Sequence, residues 1–101
     1  MKIKTIDIKA FEWFDKVNGN SYFAGTITVN YAMETEKTFT MPYQYGYGTH
    51  FQCVAFKLLR KNGIIKDTDN RTSLWQYCEN NGIILRTQKI ENCKKSQLKN
   101  I

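Results

Sequence analysis

The sequence predicts an α+β fold: a mainly antiparallel four-stranded sheet, in element order βββααβ, with two helices packed on one face. Three observations carry that prediction. Apolar side chains alternate with polar ones through the first 47 residues, as half-buried strands require. The period then lengthens, with Phe51, Val54, Ala55, Leu58 and Leu59 falling at i, i+3, i+4, i+7 and i+8. Between two of the alternating runs stands Asn18-Gly19, the dipeptide best suited to a tight hairpin turn.

Taken in order, Lys2 to Asp15 and Asn20 to Met33 read as two arms of that hairpin. With Val17 opposite Asn20, one face pairs Phe14 with Phe23, Ala10 with Ile27, Ile8 with Val29 and Ile6 with Tyr31. This face is the expected core, and a slip of one residue would scatter it. Glu12 is the exception, expected to sit at a bulge or near the sheet end. A three-residue loop around Glu34-Thr35-Glu36 then pairs Tyr31 with Phe39, Val29 with Met41 and Ile27 with Tyr43. On this reading Tyr45 and Tyr47 continue the buried face, while Phe11, Trp13 and Tyr22 project from the other among Lys9, Thr26, Thr28, Thr40 and Gln44.

Gly46 and Gly48 let the chain swing from strand into helix, which Thr49 and Gln52 are placed to open as a capping box. Lys57, Arg60 and Lys61 oppose the dipole in the closing turns, before the stop at Asn62-Gly63. Ser73 with Gln76 repeats the capping pattern, Leu74, Tyr77 and Cys78 form a narrow apolar stripe, and Asn81-Gly82 ends that second helix. Ile83 to Glu91 is the last expected strand. The organisation is one domain over 1–91 and a polar, basic tail over 92–101 that should fray.

Composition narrows the function classes. An apolar fraction of 42% and an aromatic fraction of 14% over 101 residues describe a folded globule able to bury roughly two thirds of its unfolded surface. No apolar run approaches the roughly 20 residues of a membrane span, and Met1 to Ala10 alternates where a signal peptide needs a continuous apolar core, so the expected location is the cytoplasm. Cys53, Cys78 and Cys93 are odd in number and widely spaced, which points to reduced thiols rather than a disulfide framework or a zinc site. No cofactor or metal is called for. The net charge of +6 lies wholly in the second half: residues 1–50 balance five lysines against five acids, and residues 51–101 set ten Lys and Arg against four. Such asymmetry is compatible with an anionic partner and also with simple solubility.

Three groups of residues stand out as candidate sites. Asp15, Lys16, Asn18, Asn20 and Ser21 crowd polar groups at the hairpin end beside Phe11, Trp13 and Tyr22, a possible partner-binding edge whose plain reading is turn chemistry. Tyr45, Gly46, Tyr47, Gly48, Thr49 and His50 could offer helix-terminal amides to an anion, although two glycines fall far short of a phosphate loop or a dinucleotide fingerprint. Lys57, Arg60, Lys61, Lys66, Arg71, Arg86 and Lys89 could hold a phosphate backbone. His50 is the only histidine, so imidazole catalysis would have to fall on it, and no constellation around it argues for an enzyme. The aromatic face itself has three explanations: cover by the C-terminal segment or a second copy of the chain, a protein-binding surface, or base stacking.

The strings Trp13-Phe14-Asp15-Lys16-Val17-Asn18-Gly19-Asn20-Ser21-Tyr22-Phe23 and Gln44-Tyr45-Gly46-Tyr47-Gly48, with the helix after them, resemble a group of small proteins encoded by bacteriophages and prophages. The resemblance covers about the first two thirds of the chain. It implies a phage setting in a host cytoplasm rather than a reaction. By analogy of setting, it leads to the expectation of a non-enzymatic inhibitor of a host or defence protein or nucleoprotein, in the manner of anti-CRISPR proteins. Nucleic-acid binding through the basic second half and capture of a nucleotide signal at the glycine turn are the alternatives.

Overall fold

The computed structural model describes residues 2–66 and 72–101. The expected element order is present, with one helix added at the end: β1 (Thr5–Asp15), β2 (Asn20–Val29), β3 (Lys37–Tyr45), α1 (His50–Lys61), α2 (Leu74–Asn80), β4 (Ile84–Ile90) and α3 (Lys95–Lys99). The fold is α+β, and its sheet is mixed, in order β3-β2-β1-β4. The first three strands pair antiparallel, whereas β4 returns beside β1 and runs parallel to it. The long connection through α1 and α2 permits this, since a parallel neighbour needs a crossover.

One face of the sheet holds the main core. Ile6, Ile8, Ala10, Phe23, Ile27, Val29 and Met41 meet Phe51, Ala55, Phe56 and Leu59 of α1 and Leu74 and Cys78 of α2. The stripe expected on α1 therefore forms, joined by Phe56, which packs against Tyr77 at 5.7 Å between ring centroids. Ser73 and Gln76 make the reciprocal capping box on α2. At α1 the capping box is absent: the Thr49 side chain makes no cap hydrogen bond, and only its carbonyl accepts from the Gln52 amide.

The register differs from expectation at both turns, for identifiable reasons. In the first hairpin Asp15 lies opposite Asn20 and Ile8 opposite Ile27, two residues away from the expected pairing. The Asp15 carboxylate accepts from the amides of Val17 and Asn18 and from the Asn18 side chain, and the Gly19 amide donates to the Asp15 carbonyl at 2.8 Å. Those bonds hold a wider loop over 16–19 in which Gly19 alone takes positive φ, so the two-residue turn does not form. A shift of two preserves the faces, and most of the expected core survives. Phe14, left opposite Ser21 near the sheet end, is exposed instead.

The second turn is longer than the three residues expected: Val29 pairs with Lys37 and Ile27 with Phe39. The chain leaves β2 at Asn30, which is fully buried at φ 54°. Its side-chain oxygen accepts from the amides of Lys4 (2.7 Å) and Thr5 (3.3 Å), and its amide nitrogen donates to the Lys2 carbonyl and the Thr35 hydroxyl, both at 2.9 Å. This polar staple ties the start of the chain to the turn and leaves Tyr31 exposed rather than in the core. Further along, β3 carries a bulge: Gly25 faces Met41 but Phe23 faces Gln44, so Ala24 spans both Pro42 and Tyr43. Pro42 has no N–H to give the ladder, which makes it a natural place for the surplus residue. Beyond the bulge the sides exchange, and Tyr43 and Tyr45 leave the expected core face for the opposite one.

The tail does not fray. Residues 95–99 form α3, which packs across β1, β2 and β3 on the face away from α1 and α2 and buries Leu98 to 1% exposure. The helices thus lie on both faces of the sheet. Glu12, the anomaly of the core face, is neither bulged out nor solvated: its carboxylate meets Lys89 of β4 at 2.7 Å, both side chains being mostly buried.

Candidate interaction surface

The bulge and α3 together build a ring system on the outer face. Trp13 and Tyr22 are directly opposite in register and stack at 5.5 Å and 27°, and Tyr22 stacks in turn on Tyr43 at 5.2 Å and 8°. Tyr45 closes edge-on against Tyr22 at 5.8 Å. Above them, Lys95 sits over the Trp13 ring at 5.4 Å and Lys99 over Tyr43 at 5.8 Å, one turn of helix apart. Burial, with Tyr22 and Asp15 nearby, raises the Tyr43 phenol above its ordinary value. Phe11, Trp13 and Tyr22 are half-buried rather than open to solvent, Trp13 beneath Lys95 of α3 and Phe11 beneath Lys9 of its own strand.

Beyond α3 the same face is polar. Asp7 and Lys9 of β1, Thr26 and Thr28 of β2, and Arg86 and Gln88 of β4 line a shallow groove of about 540 Å³ with Tyr31 at its side. Arg86 grips Asp7 through two contacts, Nε to Oδ1 at 2.6 Å and a hydrogen bond to Oδ2 at 2.9 Å, which raises the guanidinium's pKa further.

The hairpin end and the glycine turn are brought together. Tyr22 pairs with Tyr45, and the Gly46 amide donates to the Ser21 carbonyl at 3.0 Å, so the loops 16–19 and 46–49 share one end of the sheet. Gly46 is required there by space: a Cβ would lie 2.5 Å from a Phe23 ring carbon and 2.8 Å from the His50 ring. Around this end large apolar groups stay in solvent, namely Val17 (91% exposed), Tyr47 (69%), Tyr45 (56%) and Phe14 (47%). Asp15 is held below the usual carboxylate range, chiefly by the Asn18 side chain; desolvation opposes this, and the Asn18 and Val17 amides and the charge of Lys95 add to the lowering. Lys16 and Asn18 are exposed, and Asn20 is half-buried.

At the glycine turn, the His50 amide already bonds the Tyr47 carbonyl, and the Gly48 carbonyl accepts from Lys89 at 3.2 Å. His50 stands exposed, edge-on to Phe23 at 6.1 Å. The basic residues do not converge. Lys57 and Lys61 are exposed on α1, Arg60 lies over the Phe56 ring at 3.8 Å, and Lys66 is exposed beyond the helix. Arg86 is on the outer face, Lys89 is on the inner face in its ion pair, and Arg71 is outside the described residues. Among the described residues no group of three His, Cys, Asp or Glu side chains could hold a metal ion, and no helix is long and apolar enough to cross a membrane. No family model, curated protein or solved structure matches the chain.

Sequence reasoning singled out Trp13 and Tyr22 but missed Phe14, Val17 and Tyr43 as surface or outer-face residues. Pro42 within an otherwise alternating strand was the available signal for Tyr43. Val17 sat beside the Asn-Gly turn and was there to be read as a loop tip.

Proposed function

We propose that this chain is a non-enzymatic binding protein that engages a macromolecular partner through the loop-bearing end of its sheet. The observation that supports it is the rim of exposed apolar side chains, Phe14, Val17, Tyr45 and Tyr47, on a rigid end where two loops are fixed by hydrogen bonds. Exposed aromatic groups on a pre-ordered surface supply contact area at little entropic cost, which is what protein recognition uses. In the phage setting that the two motif strings imply, the fitting partner is a host or defence-system protein or nucleoprotein, blocked by occupation of its surface. The double variant Val17→Ser/Tyr47→Ser should lose capture of that partner from defence-proficient host lysate while its circular dichroism and Tm stay unchanged. Capture that persists in this variant sinks the reading.

A second reading, nucleic-acid binding, draws on α3, which carries Lys95 and Lys99 to the aromatic face and so puts charge beside rings. It predicts a gel shift that weakens steeply between roughly 50 and 200 mM salt. A salt-insensitive or absent shift removes it.

A further inference from the structure

The two edges of the sheet are built differently, and the difference singles out a partner. Along β3 the edge is broken by Pro42 and the bulge, and Lys37 stands exposed at its start. Such features are the usual guards against strand-to-strand association. Along β4 there is no proline and no bulge, and the two cations that could guard it are turned toward their own sheet: Arg86 to Asp7 and Lys89 to Glu12. Ile84 remains 59% exposed.

The phase of the backbone is set by one bond. The Ile84 amide donates to the Lys4 carbonyl at 3.0 Å, and the parallel register runs from Thr5 opposite Ile84 to Phe11 opposite Ile90. Because successive peptide groups in a strand point to opposite edges, Ile84, Arg86, Gln88 and Ile90 bond to β1, while Leu85, Thr87 and Lys89 direct their N–H and C=O groups outward.

We infer that this edge docks a second copy of the chain, β4 against β4, antiparallel about a two-fold axis at Thr87, to form one continuous sheet. That axis satisfies every outward group. Thr87 faces the partner's Thr87 and Leu85 faces the partner's Lys89 as hydrogen-bonded pairs, each exchanging both N–H···O=C bonds. Between them, on the outer face, Ile84 meets the partner's Ile90 and Arg86 meets the partner's Gln88. The sequence Ile84-Leu85-Arg86-Thr87-Gln88-Lys89-Ile90 is self-complementary in this register: apolar ends meet, and neither cation faces another.

The test is sedimentation equilibrium of the full chain over a broad concentration range, with amide exchange read at Leu85, Thr87 and Lys89. The expected result is a mass that doubles with concentration while those three amides become protected. Thr87→Pro deletes an outward N–H and leaves the β1 ladder alone, so it should stay at the single-chain mass with unchanged circular dichroism. Ile84→Lys should shift the midpoint to higher concentration. The single-chain mass at every concentration overturns the inference, and so does a dimer whose three amides exchange freely. Should Thr87→Pro fail to fold, exchange in the unaltered chain and the Ile84→Lys midpoint decide. Val17→Ser/Tyr47→Ser leaves this edge untouched, so the dimer stands or falls separately from the partner-binding rim.

Discussion

The two faces of the sheet are covered in different ways. Under α1 and α2 lies an aliphatic core in which Ile6, Ile27, Val29, Met41 and Leu59 are wholly buried; under α3 lies a stack of half-buried rings roofed by five residues and one buried leucine. A helix that short has no stability of its own, so its position rests on Leu98 and two cation–π contacts. The lesson is that stability is concentrated on the inner face, while the outer face can rearrange at small cost.

The comparison can be broken most directly from the inside. Ile8→Ala should cost about 2–5 kcal/mol in urea unfolding through the cavity it leaves, and a loss no greater than that of Leu98→Ala would erase the contrast between the faces. Asn30→Ala comes next, at about 3 kcal/mol, because the part-buried amide of Lys4 and the buried amide of Thr5 lose their acceptor; Asn30→Gly would relieve the positive φ without restoring the bonds. Leu98→Ala should lower global stability by no more than about 1 kcal/mol, since the loss stops at the local opening of α3, while Trp13 fluorescence changes clearly. Thiol labelling sharpens the same order. Cys53 is exposed and should react first, Cys93 beside α3 more slowly, and Cys78, whose thiol is pushed up to about 11 by burial, only on global unfolding. Labelling of Cys78 as fast as Cys93 would contradict the picture of a closed inner face.

The smallest effect concerns pH. The folded-state pKa of Asp15 is lowered, so its contribution is complete above the ordinary carboxylate pKa and is lost as pH falls through the lowered value. Acid titration followed by NMR should therefore release the Val17 and Asn18 amides below the usual aspartate range with the rest of the sheet intact.

How much of this was legible follows from what each signal encodes. Periodicity marked every strand and the first two helices, because burial on one side writes itself at spacing 2 or 3.6. It could not fix register, since pairings two residues apart bury the same side chains; Asp15 and Asn30 decided that through hydrogen bonds to backbone that no pattern of hydrophobicity records. Cover over Trp13 by the C-terminal segment stood as one of three explanations and could not be chosen for a related reason, as Lys94-Lys95-Ser96-Gln97-Leu98-Lys99 offers a single apolar residue and no helical stripe. The candidate site was partly visible: the loops and Trp13 were named, but their shared location required the Tyr22–Tyr45 pairing. The pairing of Lys89 with Glu12 joined two residues far apart in the chain, each of which looked anomalous or available alone.

The surplus residue at Pro42 and Tyr43 means that sidedness in β3 is stored as a length rather than in the chemistry of any side chain. Removing Pro42 would take the surplus away and leave the sides as they are, with Tyr43 opposite Ala24, Gln44 opposite Phe23 and Tyr45 opposite Tyr22 in an unbroken ladder. Only the loss of one residue more between Met41 and Tyr45 would exchange the sides and turn Tyr45 inward, whereas most point changes in the strand would leave the allocation of faces as it is.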